Sequence, residues 1–529
     1  MDVEKLKQYL YSKEYLELAK QKIEFHQKIE NDPLAKIYYW KKFSTDIVDF
    51  AKKCLVVYEP RIEKYREIIF NPFDYQKEIW KKLDEVYKKG GDFFIEKSRD
   101  MGVSWAIMAW VLHKWIFDPH FTCLLGSRKE EEVDSKGINS LFGKLRWMLY
   151  SLPDFLIPKG FKKRNHDNHL RLINPENGAI VEGESSNPNW SRGRRVSIAI
   201  LDELFFWENY REALQAVYDS SPARVYISTP QPDSFAKRFV ENLKQQGKVL
   251  TLHWSNHPFK TLEWFEKQKQ SRSEVKTSVL NELEISYDID PEEAYYPEAY
   301  EVQSQEIHYN PDYPLYVGID TAGYKDYTAL VWAQYYNDRL IVLDALVTHG
   351  QIVFDEKKSQ RGLIYWFLPY FSNKIPINPQ NKIYYNQKEW ETLIRVRSWD
   401  TPYMICGEVN LKKRDTTYGL SWVDVLVDYF RFYGVNAIID TNDENLAFEK
   451  RREAAANLLK TAIFNTSEGA QKLLDALKST RIVIVKHGEK VCPKNHPADK
   501  DLRAAFENLC CSIAKASTPF RIASYSVKV

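Results

Sequence analysis

Apolar and polar positions fall into two separate patterned blocks along this chain. In the first block DFFIE (92–96) reads as a strand, VSWAIMAWVLHKWIF (103–117) as a long apolar helix, and FTCLLG (121–126) as the next strand. VSIAILDE (196–203) and ARVYIST (223–229) add two more. Strand, loop, helix, strand in that order predicts a parallel sheet with helices on both faces. The second block opens at LYVGID (315–320), and TALVWAQYY (328–336) and RLIVLDALVTH (339–349) flank Asn337-Asp338, a hairpin turn. YMICG (403–407), VNAIID (435–440) and RIVIV (481–485) come next as strands separated by helical stretches.

The expected class is therefore α/β throughout. A parallel-sheet unit spans 71–255, and an irregular, charged, proline-bearing linker spans 256–305. The strands of 306–529 come in the order of a ribonuclease-H-like sheet. Residues 1–70, rich in Lys, Glu, Tyr and Leu, predict a helical extension wrapped onto the parallel-sheet unit.

Composition adds little beyond bounds. A chain of 529 residues exceeds what one core supports. With a formal charge of only +2, any nucleic-acid contact must come from local basic stretches such as Lys412-Lys413-Arg414. KKRN (162–165) is a second such stretch, equally readable as a solvated loop. The six cysteines show neither C-x-x-C pairing nor zinc spacing, which suits a reduced intracellular protein. The amino terminus lacks the apolar segment of a signal peptide, and no uncharged apolar run would span a bilayer. A cytoplasmic protein without a membrane is expected.

The chemistry starts at IEKSRDMGVSWAIMAW (95–110), a phosphate-loop outline with its usual lysine missing. Gly102 and Ser104 occupy the second-glycine and hydroxyl positions, Val103 fills the lysine slot, and Lys97 stands where the first glycine belongs. Polyphosphate binding needs backbone N–H groups at a helix start, a cation and a hydroxyl for Mg2+. The segment Lys97, Ser98, Arg99, Asp100, Met101, Gly102, Val103, Ser104 can supply these, with Lys97 or Arg99 as the relocated cation. Asp202 and Glu203 end an apolar strand, where one carboxylate can hold Mg2+ and the next polarise water. Tyr75 could stack on adenine and Gln76 pair with its edge, while WSRGRRVS (190–197) offers arginines to a transferring phosphoryl group.

The second block places Asp320 and Glu408 at the ends of apolar strands, and Asp499 and Asp501 in PADKDLRAAF of the last helix. Two-metal phosphodiester cleavage needs such converging carboxylates. Asp501, preceding the small residues Ala504-Ala505, is the better placed third ligand, with Asp499 a close second.

KSRDMGVS (97–104), SRGRR (191–195), AILDE (199–203), STP (228–230), GID…KDYTALV (318–331), CGEVN (406–410) and HPADKDLRAA (496–505) together resemble the large terminase subunits of tailed bacteriophages, in order over roughly 71–529. The resemblance implies a P-loop ATPase followed by a ribonuclease-H-like nuclease. It implies ATP with Mg2+ (Mn2+ also serving the nuclease), and Ser104, Asp202, Asp320, Glu408 and Asp501 as metal ligands. Arg192 would be the arginine finger and Ser228-Thr229-Pro230 the coupling motif. The implied function is packaging of double-stranded DNA into a prohead and cutting of concatemers. The implied partners are the portal protein, a small terminase subunit and further copies in a ring, in the host cytoplasm and transiently on the portal. Two other readings remain at this point: a helicase-like or recombination ATPase with a resolvase-like nuclease, and a non-hydrolysing DNA-binding scaffold.

Overall fold

The chain begins with four helices, α1 (Val3–Leu10), α2 (Lys13–Asn31), α3 (Pro33–Phe43) and α4 (Ile47–Cys54). Asp2, Ser12, Asp32 and Asp46 cap their first turns by accepting backbone N–H groups. These helices are anchored. Phe50, Ala51 and Cys54 of α4 enter the same buried core as the apolar helix at 103–117. There His113 Nε2 lies 2.8 Å from the carbonyl of Phe43, and burial pushes its pKa down to about 4. His113 therefore stays neutral and acts as a fixed strut.

The computed structural model describes every residue except 1, 63–65, 136, 274–275, 311, 321–326, 350–402, 409–410, 412–420, 425, 428–436, 443–447, 481–482, 485–489, 492–496, 517–524 and 528–529. It divides into two units, Met1–Asp288 and Ile289–Val529. None of the described helices is long and apolar enough to cross a membrane.

In the first unit α5 (Asp74–Lys89) leads into β1 (Gly91–Lys97), α6 (Val103–Phe117), β2 (Thr122–Ser127) and α7 (Leu141–Tyr150). Three short strands come next, β3 (Asp167–Asn168), β4 (Arg171–Ile173) and β5 (Ile180–Ser185). Then come β6 (Ile198–Leu201), α8 (Tyr210–Ser220), β7 (Ala223–Ser228), α9 (Ser234–Gln245) and β8 (Val249–Leu252). The sheet order is β8-β1-β7-β6-β2-β5-β4-β3, parallel except at the β5-β4-β3 edge. This is a P-loop NTPase sheet, with β7 lying between the phosphate-loop strand β1 and the acidic strand β6. α6 buries residues on all sides because it sits inside the sheet's helical layer, and Trp80 of α5 clamps it through Nε1 to the Ala106 carbonyl at 2.7 Å.

Residues 256–288 hold more regular structure than their charged composition suggests. α10 (Leu262–Ser271) and α11 (Lys276–Glu282) lie within the first unit, gathered by a buried cluster of Trp254, Trp264, Phe265, Val279 and Leu283. Aromatic spacing in a polar segment was the signal there.

The second unit contains β9 (Leu315–Asp320), β10 (Tyr327–Tyr336), β11 (Arg339–His349), β12 (Tyr403–Glu408) and β13 (Ala437–Asn442). They are followed by α12 (Phe448–Leu459), β14 (Ile463–Asn465), α13 (Glu468–Lys478), α14 (Pro497–Ala516) and β15 (Tyr525–Val527). The order β11-β10-β9-β12-β13 has β10 antiparallel to both neighbours and β9, β12 and β13 parallel, which is the ribonuclease-H-like arrangement. Asn337 and Asp338 both have positive φ, +50° and +56°, as a type I′ hairpin requires. RIVIV joins a separate ribbon instead of the sheet, Val483–Ile484 pairing with Lys490–Val491, while AIFN supplies the additional strand β14.

Candidate functional site

The phosphate loop, residues 98–102, is held from outside by its carbonyl groups. Tyr75 donates its hydroxyl to the Met101 carbonyl at 2.9 Å, Gln76 Nε2 reaches that of Gly102 at 3.2 Å, and Lys260 Nζ reaches that of Arg99 at 2.6 Å. Ser98 is buried, with Oγ on the Leu283 carbonyl at 2.5 Å. Gly102 takes the left-handed conformation that starts α6, φ +65°, and a Cβ there would meet Gln76 Nε2 at 3.0 Å. With the carbonyls tied down, the amides of Met101, Gly102, Val103 and Ser104 donate to no acceptor among the described residues. Free N–H groups at the start of a long helix form an anion cradle.

Beside it lies a cleft of about 390 Å³ whose lining includes Lys97, Ser104, Lys144, Asp202, Glu203 and Thr229. Lys97 ends β1, where its backbone pairs with Leu252, and its side chain makes no hydrogen bond or ion pair among the described residues. Arg99 is mostly exposed and held by Glu282 at 2.8 Å. Asp100, at φ +60°, is bound by Arg61 at 2.9 Å; against the upward push of burial, that arginine holds its pKa down to about 2.

Across the cleft the Ser104 hydroxyl lies 3.2 Å from Asp202 Oδ2. Asp202 follows β6, and its backbone is fixed by its N–H to the Gly126 carbonyl and by Trp207 Nε1 to its own carbonyl, both 2.9 Å. Glu203 is in the left-handed region at φ +52°, a conformation that costs a non-glycine residue about 1 kcal/mol or more. Burial raises its pKa first and the neighbouring Asp202 second, with Lys97 opposing. A hydroxyl and a carboxylate at that separation, facing a row of free amides, fit a Mg2+-nucleotide.

Two features were missed in the sequence. Lys144 of α7 projects into the cleft, its Nζ donating to the Asn139 carbonyl at 2.6 Å; burial lowers its pKa while Asp202 and Glu203 pull it up. Arg128 lines the cleft too, held by Glu132 at 2.5 Å. A single lysine on an amphipathic helix carries no motif, and only the packing of α7 brings it here.

The other first-unit candidates lie as follows. Ser228, at the end of β7, is buried and accepts the Phe205 N–H at 3.2 Å, so the strand between β1 and β6 is bonded to the turn after Glu203. Thr229 is in the cleft wall and Pro230 is buried beside it. Arg192 is exposed and not among the residues lining the cleft, whereas Arg194 is tied to Glu182 and Glu184 at 2.8 and 3.2 Å. Lys163 to Asn165 sit on an exposed turn of helix.

In the second unit β9 and β12 pair in parallel with Gly318 opposite Cys406, and Asp320 and Glu408 are the last residues of these adjacent strands. α14 crosses this face. Asn508 Nδ2 donates to the Ile319 carbonyl at 2.9 Å, and Ser512 Oγ to Asp440 Oδ2 at 2.6 Å. Asp501 shares a helical stripe with Ala505, Asn508 and Ser512. Asp499 and Asp501 are both buried. Among the described residues no three acidic, histidine or cysteine side chains converge tightly enough to hold a metal ion. Lys412, Lys413 and Arg414 lie outside the described residues.

Fold and cleft thus define a P-loop NTPase unit followed by a ribonuclease-H-like unit. Residues 94–284 match the family described as terminase large subunit, T4likevirus-type, N-terminal, and the similarity to large terminase subunits read from the motifs holds for this chain. Among solved structures a large terminase from a thermophilic bacteriophage is 13% identical, with 83% of this chain and 98% of that one covered at a TM-score of 0.33. The HK97 bacteriophage large terminase is 11% identical, with 88% and 99% covered at 0.43. The large terminase nuclease from thermophilic phage G20c, solved with bound magnesium, is 12% identical, with 40% and 96% covered at 0.24. No curated protein matches in sequence.

Proposed function

We propose that this protein is a viral DNA-packaging motor, an ATPase that drives double-stranded DNA into a prohead and a metal-dependent endonuclease that cuts concatemers. The observation that carries the reading is the cleft, where Lys97, Ser104, Asp202 and Glu203, distant in the chain, line one cavity with Ser104 Oγ 3.2 Å from Asp202.

The free amides of 101–104 take the β- and γ-phosphates, and Lys97 reaches them from the upstream edge of the loop. Ser104 and Asp202 hold Mg2+, which when bound neutralises charge developing on the phosphates. Glu203 accepts the proton of the attacking water; burial and Asp202 raise its pKa above the ordinary carboxylate value, which makes it a stronger base, while Lys97 opposes the shift. Tyr75 and Gln76 hold the loop in shape, and Arg99, engaged by Glu282, is the lesser cation. Exposure of Arg192 suits a finger acting on a neighbouring subunit of a ring. Ser228, Thr229 and Pro230, wedged between the two halves of the cleft, carry the response to hydrolysis toward DNA movement. In the second unit Asp320, Glu408 and Asp501 would hold the nuclease metals, with Asp499, equally buried on α14, the alternative to Asp501. Mg2+ or Mn2+ held by these carboxylates would supply water activation and charge neutralisation at the leaving oxygen. Lys412, Lys413 and Arg414 grip the DNA backbone. The portal, a small terminase subunit and other copies of this chain are the partners, in the host cytoplasm.

The test separates the two activities. Lys97→Ala abolishes Mg2+-dependent ATP hydrolysis and leaves Mn2+-dependent DNA cleavage, while Asp320→Ala does the reverse. Unchanged hydrolysis in Lys97→Ala would sink the motor assignment.

A further inference from the structure

Tyr75 and Gln76, the pair expected to meet a base, are engaged with the chain around the loop at 98–102. The Tyr75 ring is only 8% exposed and its hydroxyl is committed to Met101, while both ends of the Gln76 amide are used, Nε2 on Gly102 and Oε1 accepting the Phe73 N–H at 3.0 Å. A second cavity, about 440 Å³, opens on the outer side of the phosphate loop, lined by Arg61, Arg99, Asp100, Trp264, Gln268, Arg272 and Leu283. The two cavities share Arg99. Glu282 of the cleft also binds both Arg99 at 2.8 Å and Arg272 at 3.2 Å.

Three arginines would ordinarily suggest an anion, but three carboxylates already hold them: Arg61 lies between Glu59 and Asp100, and Arg99 and Arg272 share Glu282. What they offer is shape. The Arg61 guanidinium is gripped by Glu59 through Nε at 2.6 Å and Nη2 at 2.8 Å, and by Asp100 through Nη1 at 2.9 Å. Fixed in its own plane from both ends, it is a flat cationic platform, suited to stacking on a neutral aromatic ring. Gln268, whose amide carries both a donor and an acceptor, and Trp264 line the same cavity.

From this we infer that the nucleoside of the bound triphosphate occupies the Arg61–Trp264 pocket, its base stacked on the Arg61 guanidinium and edged by Gln268. The inference rests on the ATP-binding reading above and specifies where the other half of that ligand goes. It also links the base to the phosphates, since Asp100 belongs to the loop and pins the platform.

The experiment measures displacement of a fluorescent ATP analogue from the full chain by ATP·Mg, GTP·Mg and inorganic tripolyphosphate·Mg. The proteins compared are wild type, Arg61→Lys and Gln268→Ala, each checked for wild-type melting. Arg61→Lys keeps the charge and loses the plane. Both variants should bind ATP about tenfold more weakly, lose discrimination between ATP and GTP, and bind tripolyphosphate as wild type does. Unchanged ATP affinity, or an equal loss for tripolyphosphate, overturns the pocket. A wild type that binds tripolyphosphate as tightly as ATP overturns it while leaving the phosphate site standing. A wild type that binds neither removes both.

Discussion

Gly318→Ala should cripple DNA cleavage without touching ATP hydrolysis, and its size can be worked from the sheet–helix contact. A Cβ built on Gly318 lies 2.8 Å from Leu509 Cβ and closer still to the Ala505 carbonyl oxygen, both on α14. Carbon atoms in contact prefer about 3.5–4.0 Å, so α14 must retreat by about 1 Å. The obstruction includes backbone, and no rotamer change relieves it. Overpacking of this kind costs about 1–3 kcal/mol, and the melting temperature of the second unit, Ile289–Val529, should fall by about 2–4 °C for each 1 kcal/mol lost. Function should suffer more than stability. Asp501 sits one turn upstream of Ala505 on the displaced helix, and a misplacement of about 1 Å in a reacting group costs about a hundredfold in rate. The assay is Mn2+-dependent nicking of a supercoiled plasmid, paired with steady-state ATPase and a thermal melt on the same preparation. A lowered melting temperature with full nicking would show that α14 does not position the nuclease site. No change in either would show that the close approach itself is wrong.

Three further outcomes concern the ATPase cleft. Lys144→Met should lower kcat/KM for ATP about a hundredfold, the loss expected for one fixed donor facing developing charge, while leaving DNA cleavage unchanged; a wild-type ATPase rate would make Lys144 a structural lysine. The ATPase rate should also fall on acidification at a pH above the ordinary carboxylate value of 4.5, because burial and Asp202 raise the Glu203 pKa and the base works only when deprotonated. The same shift makes ionised Glu203 a liability to folding: stability from this group is greatest at low pH and is lost as pH rises through the raised value. Glu203→Gln should therefore abolish hydrolysis yet melt no lower than wild type at neutral pH, and a lower melting temperature would contradict the assigned shift.

Both sheets were legible because their strands are short apolar runs closed by turn residues, with Asn337-Asp338 the clearest case. The acids were legible for a related reason. A carboxylate at the end of a buried strand is conspicuous, so Asp202, Asp320 and Glu408 stood out. Lys144, Lys260 and Arg61 could not be found this way, since each acts through a packing that joins distant segments, and a lone cation on a helix or loop looks like solvated surface. Tyr75 and Gln76 show a subtler limit. Their proximity to the nucleotide loop was readable, but whether they face a ligand or the loop's own carbonyls depends on the direction of the side chains, which spacing does not encode.

The cleft's charges explain how a phosphate loop tolerates valine where lysine is usual. Arg99 and Arg128 are committed to Glu282 and Glu132, which leaves Lys97 and Lys144 facing Asp202 and Glu203. Without nucleotide, two ammonium groups balance two carboxylates, and each pair limits the other's desolvation cost. On the proposed function, a nucleotide arriving with Mg2+ would replace both partners at once, the carboxylates turning to the metal and the ammonium groups to the phosphates. The cations thus change partners without leaving the cavity. A lysine at position 103, at the start of α6, would add a third positive charge to this balanced set, and nothing in the cleft would offset it until ATP bound. Relocation to the end of β1 places the cation opposite Glu203, where it lowers the pKa of the base that burial and Asp202 raise. On the proposed function one lysine would both serve the phosphates and tune the carboxylate, and that coupling is why replacing Lys97 should be more damaging than loss of a single phosphate contact.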